Sequence, residues 1–110
     1  MRSRRIGRSL RDDTVRHRYV VAYDVTDPKR LRVVYKKMCG FGDWLQYSVF
    51  RCDLSDVELT LMKAAVGAII NHAEDRLMIV DVGRVDGRGA GAFQFIGVAR
   101  DIPANGAVIV

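Results

Sequence analysis

Between Tyr19 and Arg32 the sequence reads YVVAYDVTDPKRLR, a strand run directly into a helix start. Tyr19, Val20, Val21, Ala22, Tyr23 and Val25 are aromatic, β-branched or small apolar residues and favour extended backbone. Thr26-Asp27-Pro28 then marks a helix N-terminus, because Asp27 can cap free N–H groups and Pro28 suits the first helical position. Four residues do not serve this frame. Asp24 puts a carboxylate into a run that otherwise wants burial. Lys29, Arg30 and Arg32 collect cations where the helix macrodipole disfavours them, at about 0.3–1 kcal/mol each when exposed. A helix start of that kind suits an external anion, and phosphate is the obvious candidate. An acidic strand end beside a basic helix start suggests a metal ion and a phosphodiester. The local alternative for Asp24 is a carboxylate that accepts N–H bonds from the Thr26–Lys29 turn, and the residues alone leave both readings open.

The rest of the chain continues the alternation of strand and helix. Leu31, Val34, Tyr35 and Met38 form one apolar stripe and predict a helix over about 28–39, with Gly40 and Gly42 as a left-handed stop. Residues 43–53, DWLQYSVFRCD, form a second β segment, long enough for a bend or bulge to split it. Ser55 and Glu58 make a capping box for a helix to about 72, whose wide apolar stripe predicts deep packing. Residues 77–82 and 93–98 are the third and fourth strands. The apolar end Val108-Ile109-Val110 needs a sheet edge to pair with, its own or a partner's. Two helices lying between strands imply an antiparallel sheet with both helices on one face, leaving the other face for a ligand or a second subunit.

A chain of 110 residues fits one domain, 19–98, with residues 1–18 as a basic arm and 99–110 as a tail. Seven arginines against Asp12 and Asp13 in the arm carry the whole net charge of +5, so the domain itself is neutral. Such an arm either lies along a phosphate backbone or is a solvated extension, with His17 as a solvated member. A binding face on the domain must therefore come from segregated charge. Cys39 and Cys52 lack metal-ligand spacing and are expected to be buried and reduced. No apolar run approaches a membrane span, and no signal-peptide pattern opens the chain, so a cytoplasmic protein is expected.

The segment YVVAYDVTDPKRLR, the Gly-rich helix stop and LQYSVF together resemble the CRISPR-associated Cas-two family over roughly residues 19–82. The resemblance implies a ferredoxin-like α+β fold in βαββαβ order, with an extra C-terminal strand and homodimers formed through the sheets. The order read directly from the residues is βαβαββ, and splitting residues 43–53 into a hairpin reconciles the two. The family's metal-binding aspartate falls on Asp24 and its neighbouring tyrosine on Tyr23. Its basic positions fall on Arg30 and Arg32, and its second β segment contributes Ser48 and Phe50. Where the family often has arginine, this chain has Trp44.

These implications set the functional expectation. Asp24 and Tyr23 are the catalytic candidates, and Asp24 is also the ligand of Mg²⁺ or Mn²⁺. Lys29, Arg30, Arg32, Ser48 and Phe50 are the nucleic-acid contacts. The expected role is adaptation in antiviral defence, with endonuclease activity on single-stranded RNA or duplex DNA. The alternative is a non-catalytic DNA-binding adaptor that bridges Cas-one integrase dimers. One carboxylate is a poor Mg²⁺ site, since this ion wants octahedral oxygen coordination, but a two-fold dimer would bring a second Asp24 to the same ion. An RNA-recognition module is disfavoured because no RNP-type aromatic motif occurs.

Overall fold

The computed structural model describes residues 15–98 and the strand Val108–Ile109. Strand β1 spans His17–Asp24, helix α1 Pro28–Met38, β2 Asp43–Gln46, β3 Val49–Leu54, helix α2 Asp56–Gly67 and β4 Arg76–Arg84. A 3-10 turn at Arg88–Gly91 leads to β5, Gln94–Phe95, and β6 is Val108–Ile109. Strands β1 to β4 form one antiparallel sheet in the order β2-β3-β1-β4. This is the ferredoxin-like βαββαβ arrangement.

Alternation along β1 divides the sheet into two faces. Tyr19, Val21 and Tyr23 point to the helices and join Phe50, Cys52, Val34, Met38, Met62 and Val66 in one buried core. Their registers agree, with Val21 opposite Phe50 on β3 and Ile79 on β4. Val20, Ala22 and Asp24 take the other face, with Val49, Arg51, Met78, Val80 and Arg76 as their register partners. Both helices pack on the first face, so the second carries no helix.

Local chemistry accounts for the element ends. The Asp27 side chain accepts from Arg30 N and caps α1, with Pro28 in its first turn. Ser55 and Glu58 form the capping box of α2 in both directions. The 43–53 segment does split, with Tyr47 and Ser48 as the turn between β2 and β3. Five expectations need correction. Strand β1 begins at His17, so His17 and Arg18 leave the arm: His17 Nδ1 lies 2.9 Å from Asp81 Oδ2, and Arg18 is buried against Asp53 at 2.8 Å. Residues 1–14 of that arm lie outside the described residues.

Helix α1 ends on Cys39 in right-handed backbone, without a left-handed glycine. Gly42 is needed for a different reason, because a Cβ there would lie 2.3 Å from the Arg51 carbonyl oxygen. Helix α2 stops at Gly67 and buries only Met62 and Val66, leaving Val57 and Leu61 exposed. Its long apolar stripe is wider than the core it covers. Cys39 is exposed, whereas Cys52 is buried and burial pushes its thiol up to about 12. The fourth predicted strand shrinks to Gln94–Phe95, since Gly97 at φ 111° turns the chain away; it pairs parallel with β6 outside the main sheet. Among the described residues no helix is long and apolar enough to cross a membrane.

Candidate nucleic-acid and metal site

Asp24 ends β1 as an exposed residue, opposite Arg76 in register. It lines a depression of ≈ 400 Å³ with Ala22, Arg76 and Met78. Among the described residues its carboxylate makes no hydrogen bond and no ion pair. The local alternative for Asp24 fails, because its carboxylate accepts nothing from the turn, where the nearest donors go to other carboxylates. Thr26 N donates to Asp75 Oδ1 at 3.0 Å, and Arg30 N donates to Asp27 Oδ2 at 2.9 Å. Asp24 is thus an exposed carboxylate held at a strand end without an internal partner among the described residues.

Asp75 holds the turn and had no signal in the sequence reading. Its side chain is fully shielded from solvent. Arg30 Nε donates to it at 2.8 Å, and Asn71 N donates at 2.8 Å. The Arg30 guanidinium, together with the two backbone N–H groups, holds the Asp75 carboxyl well below the usual carboxylate range. Arg30 also reaches Glu74 Oε1 at 3.1 Å and Thr26 Oγ1 at 3.3 Å. The basic cluster is therefore divided. Arg30 fastens the β1–α1 turn to the loop before β4, while Lys29 and Arg32 are exposed and unpaired among the described residues.

The remaining candidates sit on the helix side of the sheet. Tyr23 is 7% exposed, and its ring lies 6.2 Å from that of Phe50. Burial raises its phenol pKa, opposed by a hydrogen bond with the Ser48 side chain. Tyr23 and Asp24 are neighbours in sequence but project to opposite faces, so the structure does not bring the phenol to the carboxylate. Ser48 is half-buried, and its carbonyl accepts from Tyr23 N at 3.0 Å. Phe50 is wholly buried, which corrects its assignment as a nucleic-acid contact. Its role is to support Tyr23 and Tyr35, whose ring lies 5.8 Å away. A second concavity opens between α1 and the β2–β3 hairpin, lined partly by Tyr35, Trp44 and Tyr47. Trp44, standing where an arginine was expected, was the one hint of it.

As a metal site one chain is incomplete. Asp24 supplies a hard oxygen donor suited to Mg²⁺ or Mn²⁺. No group of three His, Cys, Asp or Glu among the described residues could hold an ion.

Fold and site together define a small ferredoxin-like α+β protein with an available carboxylate at the end of its first strand and unpaired cations on the adjoining helix. The family model for CRISPR associated protein Cas2 matches residues 17–86, and the chain belongs to that family. It is 48% identical over 67 residues to the CRISPR-associated endoribonuclease Cas2 of Geobacter sulfurreducens, covering 61% of this chain and 70% of the relative. It is 41% identical over 73 residues to the CRISPR-associated endoribonuclease Cas2 1 of Rhodospirillum rubrum, covering 66% and 72%. Among solved structures, a hypothetical protein TT1823 from Thermus thermophilus superposes with a TM-score of 0.61 at 26% identity, over 81% of this chain and 96% of that one. The crystal structure of Streptococcus pyogenes Cas2 gives 0.54 at 32% identity, over 57% and 82%.

Proposed function

We propose that the protein is a homodimeric, metal-dependent endoribonuclease of CRISPR adaptation and antiviral defence, working in the cytoplasm. The observation that carries this reading is Asp24, an exposed carboxylate without an internal partner at the position where the family resemblance puts a metal ligand. Relatives named as endoribonucleases support RNA as the substrate; duplex DNA is the second candidate. Asp24 and the Asp24 of a second copy would hold Mg²⁺ or Mn²⁺ between them. When bound, such an ion neutralises phosphodiester charge and makes a water a better nucleophile. The chain's own residues then have separate tasks. Lys29 holds a phosphate near the scissile bond, and Arg32 holds one further along the strand. Arg30, through Asp75, keeps the turn that carries them in place. Tyr23, on Ser48 and Phe50, fixes the end of β1 from the opposite face, as a positioning residue.

A second reading is favoured by the poverty of the acidic set. One carboxylate per chain with two unpaired cations on the adjoining helix also suits a duplex-binding adaptor that bridges Cas-one integrase dimers without cutting. One experiment separates them: wild type and Asp24→Ala are given single-stranded RNA and duplex DNA with Mg²⁺, Mn²⁺ or EDTA, and cleavage and binding are read in the same samples. Metal-dependent cutting is expected, abolished in Asp24→Ala with binding retained. Intact duplex binding and no cutting by either protein would leave the adaptor.

A further inference from the structure

The concavity between α1 and the β2–β3 hairpin has a volume of ≈ 550 Å³ and lies on the helix side of the sheet, away from the face that carries Asp24. Its walls are Leu31, Arg32, Tyr35 and Lys36 from α1 and Trp44 and Tyr47 from the hairpin, over a floor that includes Tyr23 and Ser48. Three of these aromatic side chains stay substantially exposed: Tyr35 at 40%, Trp44 at 36% and Tyr47 at 89%. Grouped aromatic exposure of this kind marks a binding surface more often than an incomplete core.

The hairpin holds the Trp44 ring in place. Trp44 Nε1 donates to the Tyr47 carbonyl at 2.6 Å, across the turn. The Trp44 and Tyr35 rings meet edge to face, 6.3 Å apart at 80°. Tyr47 has φ 43°, the left-handed backbone that glycine or asparagine takes far more readily than a bulky aromatic. The turn keeps its tyrosine despite that backbone strain.

The charge of the groove narrows the ligand. Arg32 and Lys36 stand four residues apart on α1 and so share one face of the helix. No carboxylate lines the cavity, and among the described residues neither cation has an ion pair. Rings for stacking with two cations at the rim suit an aromatic anion. The volume falls in the range of small-ligand sites and admits one base with its ribose and phosphate. A duplex cannot use such a site, because its base faces are already stacked.

We infer that this groove holds one unpaired nucleotide of a single strand, its base stacked among Tyr35, Trp44 and Tyr47 and its phosphate on Arg32 and Lys36. The assignment rests on the nucleic-acid reading above and adds a preference for single strands. Trp44 is the sole tryptophan, so its fluorescence reports the groove directly. The full chain is titrated in EDTA, so that no strand is cut, with a short oligouridylate, an abasic strand of equal length, and a duplex of equal charge. The oligouridylate should quench Trp44 to saturation, and the abasic strand and duplex should not. Tyr47→Ala, at an exposed turn position, should weaken single-strand binding on the order of 10-fold while leaving duplex binding unchanged; Tyr35→Ala gives a second test from the other wall. Equal quenching by the abasic strand, or unchanged single-strand affinity in both variants with circular dichroism intact, would overturn the groove while leaving the phosphate-binding reading standing. Failure of all three nucleic acids to bind would overturn both. A groove made for a partner's peptide would leave Trp44 unmoved by every strand, which also overturns the assignment.

Discussion

Two aspartates flank the turn after β1 and meet opposite fates. Asp75 accepts from Arg30, Thr26 and Asn71 and is shielded from solvent; Asp24 is exposed with no partner among the described residues. A carboxylate with several donors belongs to the fold, and one with none is available for chemistry. The pH dependence of stability should follow Asp75. Its folded pKa is depressed, so its stabilisation is present in full above the ordinary carboxylate range and is lost as pH falls below it. Asp75→Asn should lower Tm by several degrees at neutral pH, because the amide accepts at one oxygen only and carries no charge for Arg30. The gap between variant and wild type should shrink as the pH falls below the carboxylate range. Thermal melts from neutral pH to strong acid check this, and a gap that widens in acid would contradict it.

At the scale of elements, the β2–β3 hairpin does most to shape the aromatic groove, and it depends on Gly42. A Cβ at that position would lie 2.3 Å from the Arg51 carbonyl oxygen and 2.5 Å from Cys52 Sγ, so backbone must shift to admit it. Gly42→Ala should cost about 1–3 kcal/mol, read from urea denaturation as a lower midpoint. It should also weaken single-strand binding, because Trp44 follows two residues later. The close approach is invisible in sequence, where Gly42 read as part of a helix stop. What was legible depended on short-range chemistry. Asp27-Pro28 and the Ser55–Glu58 box marked both helix starts, and the run from Tyr19 to Asp24 marked the central strand and its odd carboxylate. What was not legible depended on distant contacts. The pairing of Arg30 with Asp75 spans 45 residues, so local charge counting left Arg30 as a ligand for phosphate. Phe50 shared its motif with Ser48, yet strand alternation put it into the core. Likewise Leu31 and Tyr35, half of the apolar stripe of α1, are 36% and 40% exposed and serve the groove.

The whole molecule leaves one face of its sheet without helices, and that face is apolar where it is exposed. Met78 and Val80 on β4 are 52% and 41% exposed, beside the half-buried Val20 and Ala22 of β1. Arg51 on the same face is 2% exposed, and beyond its bond to Asp43 its Nε and Nη1 have no acceptor. Buried donors without acceptors cost about 1–3 kcal/mol each, a penalty that rearrangement of this face against a second copy could relieve. An isologous dimer through these sheets would also give Asp24 the second carboxylate that one chain lacks. Wild type should therefore run at twice the mass of one chain in size-exclusion chromatography with light scattering. Met78→Asp, which puts a charge into the middle of that face, should yield a folded monomer. On the proposed function, a monomer keeps Asp24 but has no second one to pair with it, so it should lose metal-dependent cleavage as completely as Asp24→Ala. It should nevertheless keep the Trp44 response to single strands, because the groove is built within one chain. A monomeric Met78→Asp that still cuts would put the whole active site inside one chain, and a dimer that survives the substitution would move the interface off this face.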